Sequence, residues 1–449
     1  MRWKLPLLFF SILLAVSACT TKEGFQSNNL SYIYNPTQLA LRPYFVIYHK
    51  NDTLTEVHYR IESSDLLYVR NATTGMYESE GRLDFSLVPS FEETNVLDSG
   101  TVKISDSEVE IPTKTIVGQL NLKMPKDSEG KEYVLRVKML DVNRKIDFEN
   151  FIRIDKTSEF GSQYFKLTDT AGHLLFTNHI AKGAPFQVKY AKADNYPLYI
   201  SYYERDFPLA LPPYSSDADN SFELEPDTTF LVNGSRKMSF VRKGFYHLRL
   251  DTTQWQGVTV YNFYDQFPYV ATRQQMVDPL RYLTTRREYD ALMEAKADPQ
   301  ERQKWIDNFW LDRAGSAERS RVLVREYYDR VIQSNLYFTS YLEGWKTDRG
   351  IIYTIYGPPN KVYRSSVGEA WVYGDEASPM SYYFNFVRVS NPFTQNDYAL
   401  ERYPTYRYGW GQAIESWRSG HVYNSKDIKR EQDQQQQSRY NRQRPPYWY

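Results

Sequence analysis

Asp348 is the side chain whose neighbours give it the best claim to chemistry. It is a carboxylate flanked by Lys346 and Arg349 at the polar start of an apolar run. It reads equally as a turn residue that caps backbone N–H groups and pairs with a neighbouring cation. A glycosidase would need a second carboxylate about 5–10 Å away, and spacing alone names no partner. The six histidines are His49, His58, His173, His179, His247 and His421. None has a second His or a carboxylate at zinc-ligand spacing on a helix, so no metal motif is present. His49, His58 and His247 fall in strand-like runs and read as structural. There is no Gly-x-Ser-x-Gly elbow, phosphate loop or dinucleotide fingerprint. The residue types therefore point to no cofactor, no metal and no enzyme.

Cys19 is the one cysteine of the 449 residues, which excludes intramolecular disulfides and Cys-based metal sites. It follows a basic start (Arg2, Lys4) and an apolar run, Leu5 to Val16, too short to span a bilayer comfortably. The run ends in Val16-Ser17-Ala18-Cys19, which resembles a bacterial lipobox. The resemblance implies that residues 1–19 are a lipoprotein signal peptide and that Cys19 carries a lipid anchor in the outer membrane. The alternative is an ordinary secretory signal ending near a cysteine. After Cys19, Lys22-Glu23-Gly24 only partly follows the acidic surface-export signal of Bacteroidota lipoproteins, which favours the periplasmic face over the cell surface. Residues 20–40, rich in Thr, Ser, Asn and Gln, read as a tether reaching about 60 Å when extended. Asp-Thr pairs at Thr53, Thr170, Thr228 and Thr252 resemble the O-glycosylation acceptor pattern of Bacteroidota periplasmic proteins. Asp-Thr is also ordinary turn chemistry.

The elements that would position these residues are mainly β, followed by α+β. Residues 41–155 show strand alternation, as in Val57, Tyr59 and Ile61 or Leu120, Leu122 and Met124. They predict an immunoglobulin-like or fibronectin-like β-sandwich. Residues 156–270 predict a second sandwich, with strands at Ser162 to Leu167, Phe186 to Tyr190, Leu198 to Tyr203, Phe245 to Leu250 and Val258 to Tyr264. Its proline-rich stretch from Phe207 to Tyr214 reads as a connection packed on its own domain or as an exposed binding loop. Residues 273–423 switch to helical period. A capping box at Thr285 to Glu288, Asp298-Pro299 and Ser316 open three helices. The run Ile351 to Tyr356 is β-branched and aromatic and predicts a strand, entered by a type I turn at Thr347 to Gly350 and stopped by Gly357-Pro358-Pro359. With Glu369 to Tyr373 and Tyr382 to Val389 it predicts an antiparallel meander under the helices. Residues 424–449 are a Gln- and Arg-rich tail with an aromatic end, expected to be disordered in bulk.

Gly344, Trp345, Thr347 and Asp348, continued by Gly350 and Gly357-Pro358-Pro359, resemble the GWxTD-domain family of Bacteroidota envelope lipoproteins over roughly residues 280–420. The family implies no assigned activity, and these motif residues read as structural. The Gly-Pro turn and Trp-x-Tyr strand are also loosely similar to small lipoproteins of outer-membrane barrel assembly.

Lys plus Arg and Asp plus Glu are both 55, so zero net charge gives no argument for nucleic acid. The 39 Tyr and 24 Phe suit half-buried sheets and interfaces. The expectation is a non-enzymatic outer-membrane lipoprotein, a scaffold subunit of a cell-envelope complex in outer-membrane protein assembly or secretion. The alternative is a carbohydrate-binding or glycan-processing lipoprotein, since Tyr and Trp also suit sugar stacking.

Overall fold

The structure is a computed structural model and describes residues 25–38, 41–204, 209–215, 225–378, 381–428 and 430. The signal peptide, Cys19 and the tail beyond residue 430 lie outside the described residues.

The first β region runs through β1 (Tyr44–His49), β2 (Leu54–Glu62), β3 (Val69–Arg70), β4 (Tyr77–Val88), β5 (Asp98–Glu108), β6 (Thr115–Lys123), β7 (Glu132–Asp141) and β8 (Ile146–Asp155). One sheet is β1-β2-β6; the other is β3-β4-β7-β8, with β5 on β4. The alternation read from the sequence sets the facing. Val57, Tyr59 and Ile61 of β2 and Leu120 and Leu122 of β6 are buried in the core shared with Leu83, Leu87 and Val137 of the other sheet.

The second β region has a two-stranded sheet, β9 (Phe165–Thr168) with β10 (Gln187–Tyr190), and a four-stranded one. The latter is ordered β12-β11-β13-β14, from β11 (Pro197–Tyr203), β12 (Thr228–Asn233), β13 (Gly244–Arg249) and β14 (Val258–Asn262). The strand expected from Ser162 begins as a 3-10 turn, Ser162–Tyr164, and extends only from Phe165. This region has its own core around Phe186, Ile200, Leu248 and Val260.

The helices follow: α1 (Arg273–Val277), α2 (Arg286–Ala295), α3 (Pro299–Ala314), α4 (Ala317–Phe338) and α5 (Asp348–Tyr356). The predicted caps open them. Thr285 and Glu288 make the capping box of α2, Asp298 accepts from Gln300 and Glu301 N–H, and Ser316 accepts from Arg319 N–H. A meander completes the region, β15 (Lys361–Arg364), β16 (Gly368–Tyr373), β17 (Tyr382–Arg388) and β18 (Tyr398–Leu400), then α6 (Tyr406–Arg418). Among the described residues no helix is long and apolar enough to cross a membrane.

Three parts of the chain pack differently from expectation. Residues 25–38, read as tether, dock on the carboxy-terminal sheet. Leu30 N–H donates to Val362 O at 2.8 Å, Tyr353 Oη donates to Tyr34 O at 2.8 Å, and Leu30, Ile33 and Tyr34 are buried. They join the first β region and the helical region into one continuous apolar core. Leu209, Ala210 and Tyr214 of the proline-rich loop pack on that same core rather than on the second β region. The tail's first residues are ordered, with Ile428 buried.

Candidate functional site

The stretch after Trp345 is a helix, not the predicted strand. Gly344–Lys346 makes a 3-10 turn, and Asp348–Tyr356 is α5. Thr347 is its N-cap, with extended backbone, and its Oγ1 accepts from Gly350 N–H at 3.1 Å while donating to Gly344 O at 2.7 Å. The expected turn at Thr347 to Gly350 is thus a helix start. Gly357, at φ 81°, ends α5 with its N–H on Tyr353 O. Pro358 and Pro359, without N–H donors, stop a helix instead of a strand.

The glycines let backbones touch. A Cβ on Gly344 would lie 1.8 Å from Ser334 O of α4, and one on Gly350 would lie 1.9 Å from Gly344 O. Trp345 is 2% exposed, and its indole donates to Glu343 Oε2 at 2.6 Å. Ser334 and Thr354 hydroxyls meet at 3.2 Å across the same contact. Arg330 of α4 is buried against the other end of α5, donating to Ile355 O at 2.9 Å and Tyr423 O at 2.6 Å. Burial pushes its pKa down to about 10, and the helix C-terminus it faces favours the cation.

Asp348 pairs with neither flanking cation. Its Oδ2 accepts from Leu400 N–H at 2.7 Å and Arg402 Nη1 at 3.0 Å, and its Oδ1 accepts from Arg402 Nη2. The Asp348 and Arg402 side chains are 10% and 8% exposed. Both oxygens are taken and largely covered. Lys346 sits 3.4 Å from Glu343.

Arg349 instead enters a buried cluster around Glu369 that sequence reading missed. Glu369 accepts from Tyr34 Oη at 2.9 Å, Arg364 Nε at 2.9 Å, Trp371 Nε1 at 3.0 Å and Arg349 Nη1 at 3.4 Å. Burial pushes the Glu369 carboxyl up, but Arg364 and Arg349 outweigh it and hold it below the usual carboxylate range. The signal was present: Glu369 shares the period-two face of Trp371 and Tyr373, both fully buried. Tyr34 and Arg349, 335 and 20 residues away, were not readable, whereas Trp371 is two residues on and Arg364 lies directly opposite Glu369 across the β15–β16 hairpin.

This cluster lines a cleft of about 540 Å³ between the first β region, the amino-terminal segment and the carboxy-terminal sheet. A second cleft of about 610 Å³ lies between the two β regions, beside Glu56, Lys166 and Asp194. There Glu56 accepts from Lys166 and lies 3.0 Å from His58 Nε2.

Residues 244–419 match the model of the GWxTD domain family. The chain carries a GWxTD domain. The match begins at Gly244, the first residue of β13, so the GWxTD domain takes in two strands that the sequence reading gave to a second sandwich. Phe245 of β13 and Phe393, which precedes β18, pack at 5.1 Å between ring centroids, joining those strands to the rest of the domain. Comparison with curated proteins finds no match.

Of the remaining sequence-derived sites, Cys19 lies outside the described residues. Thr53, Thr170, Thr228 and Thr252 are all exposed. Asp169 Oδ1 accepts from Ala171 N–H at 2.9 Å and Asp251 Oδ1 from Thr253 N–H at 2.8 Å, so two of the Asp-Thr pairs cap turns. His49 and His247 are buried between a threonine hydroxyl and a backbone carbonyl. Burial pushes His247 down to about 3 and His49 to about 4. Among the described residues no group of three or more His, Cys, Asp or Glu is disposed to hold a metal ion.

Proposed function

We propose that this is a lipid-anchored protein of the outer membrane, on its periplasmic face, that works by presenting a fixed surface to other envelope proteins. It is a scaffold subunit rather than a catalyst. The observation that carries this reading is the enclosure of Asp348: the carboxylate with the best claim to chemistry is spent on Arg402 and Leu400. The other motif residues lock α5 against α4, so the motif builds a joint. The continuous core between the first β region and the GWxTD domain makes the presented surface rigid. Leu30 is eleven residues after Cys19, at most about 40 Å of chain, so a lipid on Cys19 would hold the joint near the membrane. Neutral net charge argues for protein partners over nucleic acid. Complexes that assemble or secrete outer-membrane proteins are the setting this suits.

A glycan-binding role is the second reading, and the cleft beside Arg349 favours it. Glycan processing needs paired carboxylates, whereas the cleft has only Glu369, held by two guanidiniums.

The test is a mild-detergent pull-down of a tagged chromosomal copy, read by mass spectrometry. Stoichiometric recovery of a barrel protein or other lipoproteins is expected. Recovery of the chain alone sinks the scaffold reading.

A further inference from the structure

The cleft beside Glu369 is short of negative charge. Arg349 and Arg364 share the one carboxylate of Glu369, all three largely buried. Arg153, which also lines the cleft, in turn shares Glu132 with Arg388. The nearby Asp155 and Asp397 feel Arg388 and Arg349 only at longer range, and their side-chain hydrogen bonds go to Gln395 at 2.7 Å and Asn391 at 2.9 Å. A buried guanidinium without its own counter-charge is costly, and an anion delivered from solvent would supply one.

The hydrogen bonding marks the same place. Arg153, Arg349 and Arg364 line the cleft. Each has one amino nitrogen whose contact is long: Arg364 Nη1 to Asn150 Oδ1, Arg349 Nη1 to Glu369 Oε1 and Arg153 Nη2 to Ser366 O, all 3.4 Å. A well-made N–H···O bond is about 2.9–3.0 Å, so these donors retain capacity. Phe45, Phe91, Phe151 and Tyr337 give the cleft an apolar wall. Its volume is that of a small-molecule site.

We propose that this cleft binds a small carboxylate-bearing ring molecule, its carboxylate received by Arg364 with Arg153 and Arg349, its apolar ring face against the aromatic wall. Sugar acids and aromatic acids share that chemistry. The proposal is independent of the scaffold reading, because a scaffold can carry a ligand site and a ligand site does not need a partner.

The test is calorimetric titration of the full-length chain at fixed ionic strength with sodium glucuronate, sodium benzoate, glucose, benzyl alcohol and sodium phosphate. Saturable binding of glucuronate or benzoate, with no binding of the neutral pair, is expected, and whichever acid binds names the source. Arg364→Gln weakens it about tenfold or more. Leu336→Trp abolishes it by filling the mouth from a position 38% exposed on α4. Arg82→Gln, on the exposed face of β4, leaves it unchanged. If Arg364→Gln does not fold by circular dichroism, Leu336→Trp alone decides. No saturation by either acid, phosphate binding in their place, or wild-type affinity in the folded variants overturns the proposal.

Discussion

Gly350→Ala and Gly411→Ala are the same chemical change in two helices, and the structure gives them opposite signs. Replacing glycine by alanine in a helix gains about 1 kcal/mol from propensity. Gly411, on the exposed face of α6, has nothing within 4 Å of the added Cβ, so that gain should appear whole. At Gly350 the Cβ would stand 1.9 Å from Gly344 O, 2.8 Å from Gly344 C and 2.9 Å from Trp345 Cα. All three are backbone, so no side chain can swing away. Relief requires α5 to leave the 3-10 turn by more than an ångström, breaking the Thr347 cap and uncovering Trp345. Overpacking costs about 1–3 kcal/mol where side chains can adjust. A backbone clash should sit at or above the top of that range, a net loss of about 3 kcal/mol. Chemical denaturation followed by tryptophan fluorescence reads this directly, since six tryptophans lie between Trp305 and Trp417. Gly350→Ala within about 0.5 kcal/mol of the parent would refute the close-approach account of the motif.

Asp348→Ala and Arg402→Ala should each cost about 3 kcal/mol, because each strands a buried partner. The double variant should cost clearly less than their sum; an additive cycle would mean the pair is not coupled. Trp345→Ala should destabilise by about 3–5 kcal/mol and leave pulled-down partners unchanged in the folded fraction. Normal stability with lost partners would make Trp345 a contact residue instead. His247 and His49 are held neutral by burial, with folded pKa values near 3 and 4 against an unfolded value of 6.5. Between those limits the unfolded chain binds the proton and the folded chain does not. Their contribution is therefore complete above about pH 6.5 and lost as pH falls, by up to about 1.4 kcal/mol per unit for each. Denaturation midpoints should fall from pH ~7.5 to ~5, and His247→Phe should flatten part of that slope; an unchanged slope would contradict it.

What the sequence made legible was what depends on local rules. Thr285, Glu288, Asp298 and Ser316 announce their helices because a cap needs only the next three N–H groups. Val57, Tyr59 and Ile61 announce a strand because they are buried at alternate positions of β2, with the half-buried His58 and Arg60 between them. Ile351 to Tyr356 announced the wrong element for the converse reason. Every residue of α5 from Arg349 to Tyr356 is buried, so no polar face remains to mark a period of 3.6. The Thr347 cap was the one local sign against a strand. The amino-terminal segment was misread from composition, although Leu30, Ile33 and Tyr34 carry the i, i+3, i+4 spacing of a docked turn. The Asp348–Arg402 pair and the long-range half of the Glu369 cluster were beyond reach, since fold alone brings Arg402, Tyr34 and Arg349 to those carboxylates, while Arg364 faces Glu369 across a short hairpin.

The motif therefore joins two kinds of residue with separate reasons for being there. Gly344, Trp345, Thr347 and Gly350 act within the joint, through close approach, filling and capping. Asp348 and Arg349 act outward in opposite directions. Asp348 ties α5 to Arg402 and, through the Arg402 bond to Leu211 O, to the loop of the second β region. Arg349 ties it to Glu369 and so to Tyr34 of the amino-terminal segment. A helix of nine residues thereby ties both the amino-terminal segment and the proline-rich loop to the domain. Damage to the joint should loosen the amino-terminal segment and the loop together, read as faster amide exchange in both, whereas loss of Asp348 or Arg349 alone should weaken the hold on only one of them, which keeps its other contacts.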